Sequence, residues 1–425
     1  MNKVTFLVIS LLFTVSVFAQ AEPANYSVAA NKFKELYNSD KIDDIYGMFS
    51  AEMKTALPAN QFKTTTAQLK AQLGSLLAVD LVKYEAPLAV YKAKFQASTF
   101  LLNISLNNSS QFTGLLLSPY QEPRTAIDDP SIVETPVSVK ILSGLISGTL
   151  AMPKAATGKV PVVIIIPGSG ATDRDGNNVK ANLNTNAYKM IAAGLGKNGI
   201  ASLRYDKRMV GESVTSVKEE NMHFDDYIDD VYSLISYLSA DQRFSKIILM
   251  GHSEGSLVGI LAATNENVKG FISIAGAGVP ADQILTEQMK AQPQYLADEF
   301  KVVLDSLRRG KIDKKVDLTL YSIARPSIQP YLMSWCRFDP AREIKALKIP
   351  ILIIQGTTDL QVNESNAEKL KKSKTTELLI IPGMNHILKE APADREKNMA
   401  TYTQPDLPLK PELVPAMVEF INKIK

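Results

Sequence analysis

A succession of continuous apolar runs, alternating with helical patterns, limits what the residues beyond 131 can fold into. The runs are VPVVIIIPG, IASLRYD, KIILMG, GFISIAG, IPILIIQG and TELLIIPG. A strand with one face in water alternates apolar and polar residues, whereas a strand covered on both faces is apolar throughout. Between the runs lie AYKMIAAGLGKNG, SLVGILAA, NAEKLKKS and FDDYIDDVYSLISYL, the last with Phe224, Ile228, Val231 and Leu238 on one side, and residues 412–424 close the chain as a helix. This alternation predicts an α/β fold, a doubly wound, mostly parallel sheet with helices on both faces. VETPVSVKI and ISGTLAMPK read as a strand pair ahead of it. One insertion interrupts the beat, over residues 280–341, and is mostly helical.

At 425 residues the chain exceeds one ordinary core. Residues 26–74 read as helical, with Phe33, Leu36 and Tyr37 on one face. From Leu81 the period changes to two, and Phe100, Leu102, Ile104 and Leu106 mark a half-buried strand. Helices followed by a meander predict a small α+β domain over 25–118, a linker over 119–132, and a larger domain over 133–425. At the N-terminus, Lys3, an apolar stretch to Val17 and Val17-Phe18-Ala19 read as a signal peptide over 1–19. Cleavage is expected after Ala19, leaving a periplasmic or secreted protein without membrane attachment.

The formal charge of +3, with no lysine or arginine block, gives no footing for nucleic acid. The single cysteine, Cys336, excludes an internal disulfide and reads as a buried thiol. Three histidines without metal-ligand spacing leave no metal site, and no cofactor is expected.

The chemistry centres on KIILMGHSEGS. Ser253 follows a buried strand, precedes a helix and is flanked by Gly251 and Gly255, the setting of a nucleophile elbow. A serine hydroxyl needs a base. His252 sits on the tight turn, where its ring should point away, and His223 lies in a polar loop before a helix. His386, after the last strand, is the best base. Asp359, ending the penultimate strand, is the carboxylate to orient it, with Glu364 as fallback. The oxyanion requires the N–H of Glu254 and a second donor from PGSGATDRDGN: Ser169 first, Gly168 second. Met333 and Trp335, in the insertion, are candidates for an acyl pocket; they read equally well as core of the insertion.

PGSGATDRDGN, RYDKRMVGES, GHSEGS, GTTDLQV and MNHIL together resemble the α/β-hydrolase superfamily, and more narrowly bacterial serine carboxylesterases and their serine-aminopeptidase-like relatives. The resemblance spans residues 133–425. It implies esterase chemistry on Ser253, Asp359 and His386 and a cap domain at 280–341. Met209 stands where that family usually has glycine. Asp206, Arg208, Gly211 and Ser213 keep the pattern and read as scaffold, as do Asp173, Arg174 and Asp175, with Arg174 a candidate grip for a substrate carboxylate. The N-terminal domain resembles the cystatin-like domain of unknown function often fused to such hydrolases; it carries no constellation of acids and histidines and its apolar positions read as core, so a binding or packing role and no second active site is expected. The expected activity is hydrolysis of a small acyl ester through an acyl-enzyme. A peptidase or amidase with the same triad, anchored by acids such as Asp298-Glu299, is the alternative, and a non-enzymatic binding protein is a third reading.

Overall fold

The computed structural model describes residues 22–119, 129–178, 181–371 and 375–425. The leader read over 1–19 and linker residues 120–128 lie outside them. The chain divides into two compact units between Thr125 and Ala126.

The first unit carries helices α1 (Ala24–Asn38), α2 (Ile42–Gly47), α3 (Ala51–Ala56) and α4 (Ala59–Leu73). Strands β1 (Leu76–Glu85), β2 (Leu88–Phe95), β3 (Thr99–Leu106) and β4 (Phe112–Pro119) follow as an antiparallel meander. Leu102, Ile104 and Leu106 share a core with Phe33, Leu36 and Tyr37, so the period-two reading of β3 and the face of α1 meet. β1 starts five residues before Leu81. Its early residues do not alternate, because Leu77, Leu81 and Val82 are exposed apolar side chains and the run LLAVDLV looks uniform. The chain turns into it at Gly74, whose φ of 70° suits glycine.

The second unit holds β5 (Ile132–Ile141), β6 (Gly144–Pro153), β7 (Val160–Ile166), β8 (Ala201–Tyr205), β9 (Val214–Thr215), β10 (Phe244–His252), β11 (Val268–Ile274), β12 (Ile351–Gly356) and β13 (Thr376–Ile381). Among the described residues these nine strands form one sheet in the order β13-β12-β11-β10-β7-β8-β6-β5, with β9 beside β6. The strands from β13 to β8 pair in parallel, and β5, β6 and β9 add an antiparallel edge.

Helices α5 (Ala187–Lys197), α6 (Phe224–Ser239) and α7 (Glu254–Ala262) lie between strands. Val162, Ile164 and Ile166 of β7 pack with α6 and α7, while Val163 and Ile165 pack with α5 and the last helix. Each large side chain buried this way contributes about 1.5–3 kcal/mol, and double-sided burial is why these strands read as unbroken apolar runs. Between β11 and β12 come α8 (Ala281–Met289), α9 (Gln294–Arg308), α10 (Tyr321–Ala324), α11 (Gln329–Trp335) and α12 (Pro340–Glu343). After β12 follow α13 (Glu364–Leu370), α14 (Arg395–Ala400) and α15 (Leu413–Lys423).

Candidate active site

The site is built where β7, β10 and β12 end. β10 runs parallel between β7 and β11 and delivers Ser253 to a sharp turn with φ 56° and ψ −121°. A non-glycine residue there stores about 1–3 kcal/mol of backbone strain. Crowding holds the turn in place. A Cβ on Gly251 would sit 2.2 Å from the carbonyl oxygen of Gly255, and one on Gly255 would sit 2.4 Å from that of Ile166. Strand and helix can meet this closely only because both positions lack side chains.

The loop after β13 brings His386 back to this turn. Its Nε2 lies 3.1 Å from Ser253 Oγ, and its Nδ1 lies 2.8 Å from Asp359 Oδ2. Asp359 is itself fixed, since its Oδ1 accepts from the N–H groups of Gln361 at 2.8 Å and Val362 at 2.9 Å, and Gln355 Nε2 donates to Oδ2 at 3.2 Å. Burial alone would raise this carboxyl's pKa, but the His386 imidazole and the two backbone donors more than offset that and hold it below the usual carboxylate range. Glu364 lies apart, exposed in the first turn of α13.

The other two histidines have different positions. His223 is exposed at the N-terminus of α6. His252 is buried, 2.8 Å from the Tyr188 hydroxyl through Nδ1 and 2.8 Å from the carbonyl of His386 through Nε2. Burial, then the neighbouring His386, pushes its pKa down to about 3. The Tyr188 oxygen accepts the Gly168 N–H at 3.1 Å. Its own proton therefore goes to Nδ1, and Nε2–H donates to the His386 carbonyl. His252 thus does point away from Ser253 Oγ, yet it joins the loop after β7 to the backbone of His386.

Gly168, the second of the expected donors, already gives its one N–H proton to Tyr188. Ser169 and Glu254 line the cleft beside Ser253, and among the described residues their N–H groups make no hydrogen bond.

Lys207 and Tyr331 were not legible as site residues. Lys207 is 3% exposed, within the motif read as scaffold. Its Nζ lies 2.8 Å from Glu254 Oε1 and 3.0 Å from the Gly168 carbonyl oxygen, 4.2 Å from the centre of the Tyr227 ring. Burial pulls the ammonium's pKa down, but the Glu254 carboxylate reverses the shift, so the lysine stays charged. Tyr331, on α11, donates its hydroxyl proton to the other oxygen, Glu254 Oε2.

The cleft in front of Ser253 is lined by apolar side chains, among them Leu257, Val279, Ile284, Leu285 and Trp335, with Gln288 and Gln361 as polar members. Its free volume is about 40 Å³, little more than one water's share of the liquid. Trp335 belongs to this wall and also stacks on Phe224 with ring centroids 5.8 Å apart. Met333 does not line the cleft. It packs, half-buried, against the main core, because neighbouring positions on one helical turn face different ways. A wider groove of about 700 Å³ lies at the opposite ends of the strands, past Thr264, Lys269 and Lys348, and holds none of these groups.

The loops around the site are braced by charge. Arg174 pairs with Asp206 at 2.6 Å and Glu212 at 2.8 Å and donates to the Gly148 carbonyl, and it does not line the cleft. Arg208 grips Asp230 through Nε and Nη2 and reaches Asp226 through Nη1. Met209 adopts φ 61°, a left-handed conformation that favours glycine, with its side chain half in solvent. Burial pushes the Cys336 thiol up to about 11, which keeps it protonated and unreactive.

Comparison with known proteins places these features among relatives. Residues 182–324 match the family model for serine aminopeptidase S33, and residues 30–115 match a protein family of unknown function, DUF3887. The first match includes Ser253 and stops short of Asp359 and His386. Esterase EstD of Thermotoga maritima is 26% identical over 396 residues, covering 89% of this chain and 91% of its own. Among solved structures, Est1E of Butyrivibrio proteoclasticus aligns at TM-score 0.46 and 19% identity, over 68% of this chain and 99% of its own. An esterase of Pyrococcus furiosus aligns at 0.46 and 17%, over 72% and 96%. The larger unit has the α/β-hydrolase fold, as its strand order and parallel pairing show, and the resemblance read from the motifs stands.

Proposed function

We propose that this protein is a serine hydrolase that cleaves carboxylic esters through an acyl-enzyme on Ser253. What carries the reading is the unbroken line Asp359–His386–Ser253 at the mouth of an apolar cleft. Ser253 Oγ attacks the ester carbonyl as His386 Nε2 takes its proton, Asp359 steadies the imidazolium, and the N–H groups of Ser169 and Glu254 hold the oxyanion. His386 then gives the proton to the departing alcohol, and water repeats the sequence to free the acid. The chemistry requires no cofactor.

The competing reading is an aminopeptidase, favoured by the description of the family model. Such an enzyme needs a carboxylate to hold the substrate's ammonium. Among the described residues lining the cleft, Glu254 is the one acid, and Lys207 already neutralises it. Asp298 and Glu299 are exposed on α9 and do not line the cleft. An unpaired ammonium in this cleft costs several kcal/mol, so short acyl aryl esters should exceed aminoacyl aryl amides in kcat/KM by at least about 100-fold. Equal turnover of the amides would replace the reading.

The narrow cleft favours short acyl chains. Leu285→Ala removes a half-buried wall residue and should shift preference toward longer chains. The expected gain in relative kcat/KM is about tenfold, since each methylene accommodated is worth about 1–3 kcal/mol. An unchanged chain-length profile would place the acyl group elsewhere. We also propose export with cleavage after Ala19, supported by the leader's composition; an intact mass beginning at Met1 would overturn this.

A further inference from the structure

We propose that Lys207 is a positioning residue for the oxyanion: by holding the carbonyl of Gly168, it turns the N–H of Ser169 toward the nucleophile. The inference rests on the hydrolase reading above. The Gly168 C=O and the Ser169 N–H belong to one planar, trans peptide group, so they point in opposite directions. Lys207 Nζ takes the carbonyl oxygen at 3.0 Å from the buried side, while Ser169 lines the cleft with Ser253. Tying down the carbonyl therefore aims the donor.

Two further contacts strengthen this assignment. The Gly168 N–H is held by Tyr188 at 3.1 Å, so the peptide groups on both sides of Gly168 are fixed. The same ammonium pairs with Glu254 at 2.8 Å, and the backbone N–H of Glu254 is the other donor. One buried cation thus touches both halves of the oxyanion site, and an ammonium on a carbonyl is a strong, charge-assisted hydrogen bond. Donors fixed in advance need no reorganisation when charge develops on the substrate oxygen. A lysine serving only to neutralise Glu254 would need no bond to the loop.

The test separates these roles. Lys207→Met alone would strand the Glu254 carboxylate; Glu254→Gln leaves the Lys207 ammonium without its counter-ion but still on the Gly168 carbonyl, and Lys207→Met/Glu254→Gln loses that bond without leaving a buried charge, so the informative comparison is between the latter two. Relative to Glu254→Gln, the double variant is expected to lose at least about tenfold in kcat with KM within about twofold. Its affinity for an aryl trifluoromethyl ketone, which mimics the tetrahedral intermediate, should fall in proportion to kcat/KM.

Ser169→Pro removes the proposed donor at an exposed loop position and should itself cost at least about tenfold in kcat. In that background the extra loss from Lys207→Met should vanish, because the two changes act on one group. The proposal is overturned by a double variant with the kcat of Glu254→Gln, by a loss that persists undiminished in the Ser169→Pro background, or by wild-type kcat in Ser169→Pro. That last arm decides even if the double variant does not fold. A wild-type protein that neither turns over esters nor labels with a fluorophosphonate would instead overturn the hydrolase reading.

Discussion

Replacing Ser253 by alanine is expected to lower kcat on an aryl acyl ester by about 10⁵–10⁶-fold and to abolish fluorophosphonate labelling. The size of the effect follows from the geometry. Ser253 Oγ is the atom His386 Nε2 faces at 3.1 Å, and among the described residues lining the cleft no cysteine or lysine stands ready to replace it. The fold should survive, since the substitution deletes one atom on a turn dictated by Gly251 and Gly255. Ser253→Gly should be equally inactive and gain up to about 1 kcal/mol in stability, because glycine adopts φ 56° without a Cβ penalty. Activity near wild type in Ser253→Ala would sink the assignment.

Asp359→Asn is the second large effect, with kcat expected to fall about 10⁴-fold while the fold is retained. Asp359 Oδ2 accepts from His386 Nδ1 at 2.8 Å, and an amide nitrogen at that position would donate and favour the wrong tautomer. Glu364→Gln, exposed in the first turn of α13, should leave kcat unchanged, which separates the two acids. Reversal of that pattern would move the orienting role to Glu364.

The same carboxylate sets a pH signature. Its folded pKa is depressed, so the unfolded chain binds the proton more readily. Stability contributed by Asp359 is complete above the unfolded value of about 3.9 and is lost as pH falls through the lower folded value. Asp359→Asn should therefore flatten the acid limb of the stability profile below about pH 4. An unchanged limb would show that the charged form gains nothing from its partners.

Particular residues mark how far the sequence could be read. Ser253, Asp359 and His386 were legible because each follows a strand whose apolar run is unmistakable, and a parallel sheet collects such strand ends on one edge. The boundary at Leu81 was misjudged because β1 exposes apolar side chains and hides its period. Met333 and Trp335 are indistinguishable as apolar residues two apart, and only the path of α11 buried Trp335 in the core at the cleft wall while leaving Met333 half-buried and away from the cleft. Lys207 lies in a motif that reads as scaffold, and nothing local distinguishes it from Arg208, yet it is enclosed by Glu254, Gly168 and Tyr227.

What the sequence determined by itself was the layered sheet, the strand–turn–helix around Ser253 and the placing of Asp359 and His386 after later strands, because burial periodicity and glycine placement are local properties of a chain. What tertiary structure alone decided was which backbone N–H near Ser253 is taken by a partner, and which ions lie beside it. Gly168 differs from Ser169 only in that its proton is taken by Tyr188, twenty residues away. Such assignments depend on hydrogen bonds between segments distant in the chain, which no local pattern encodes.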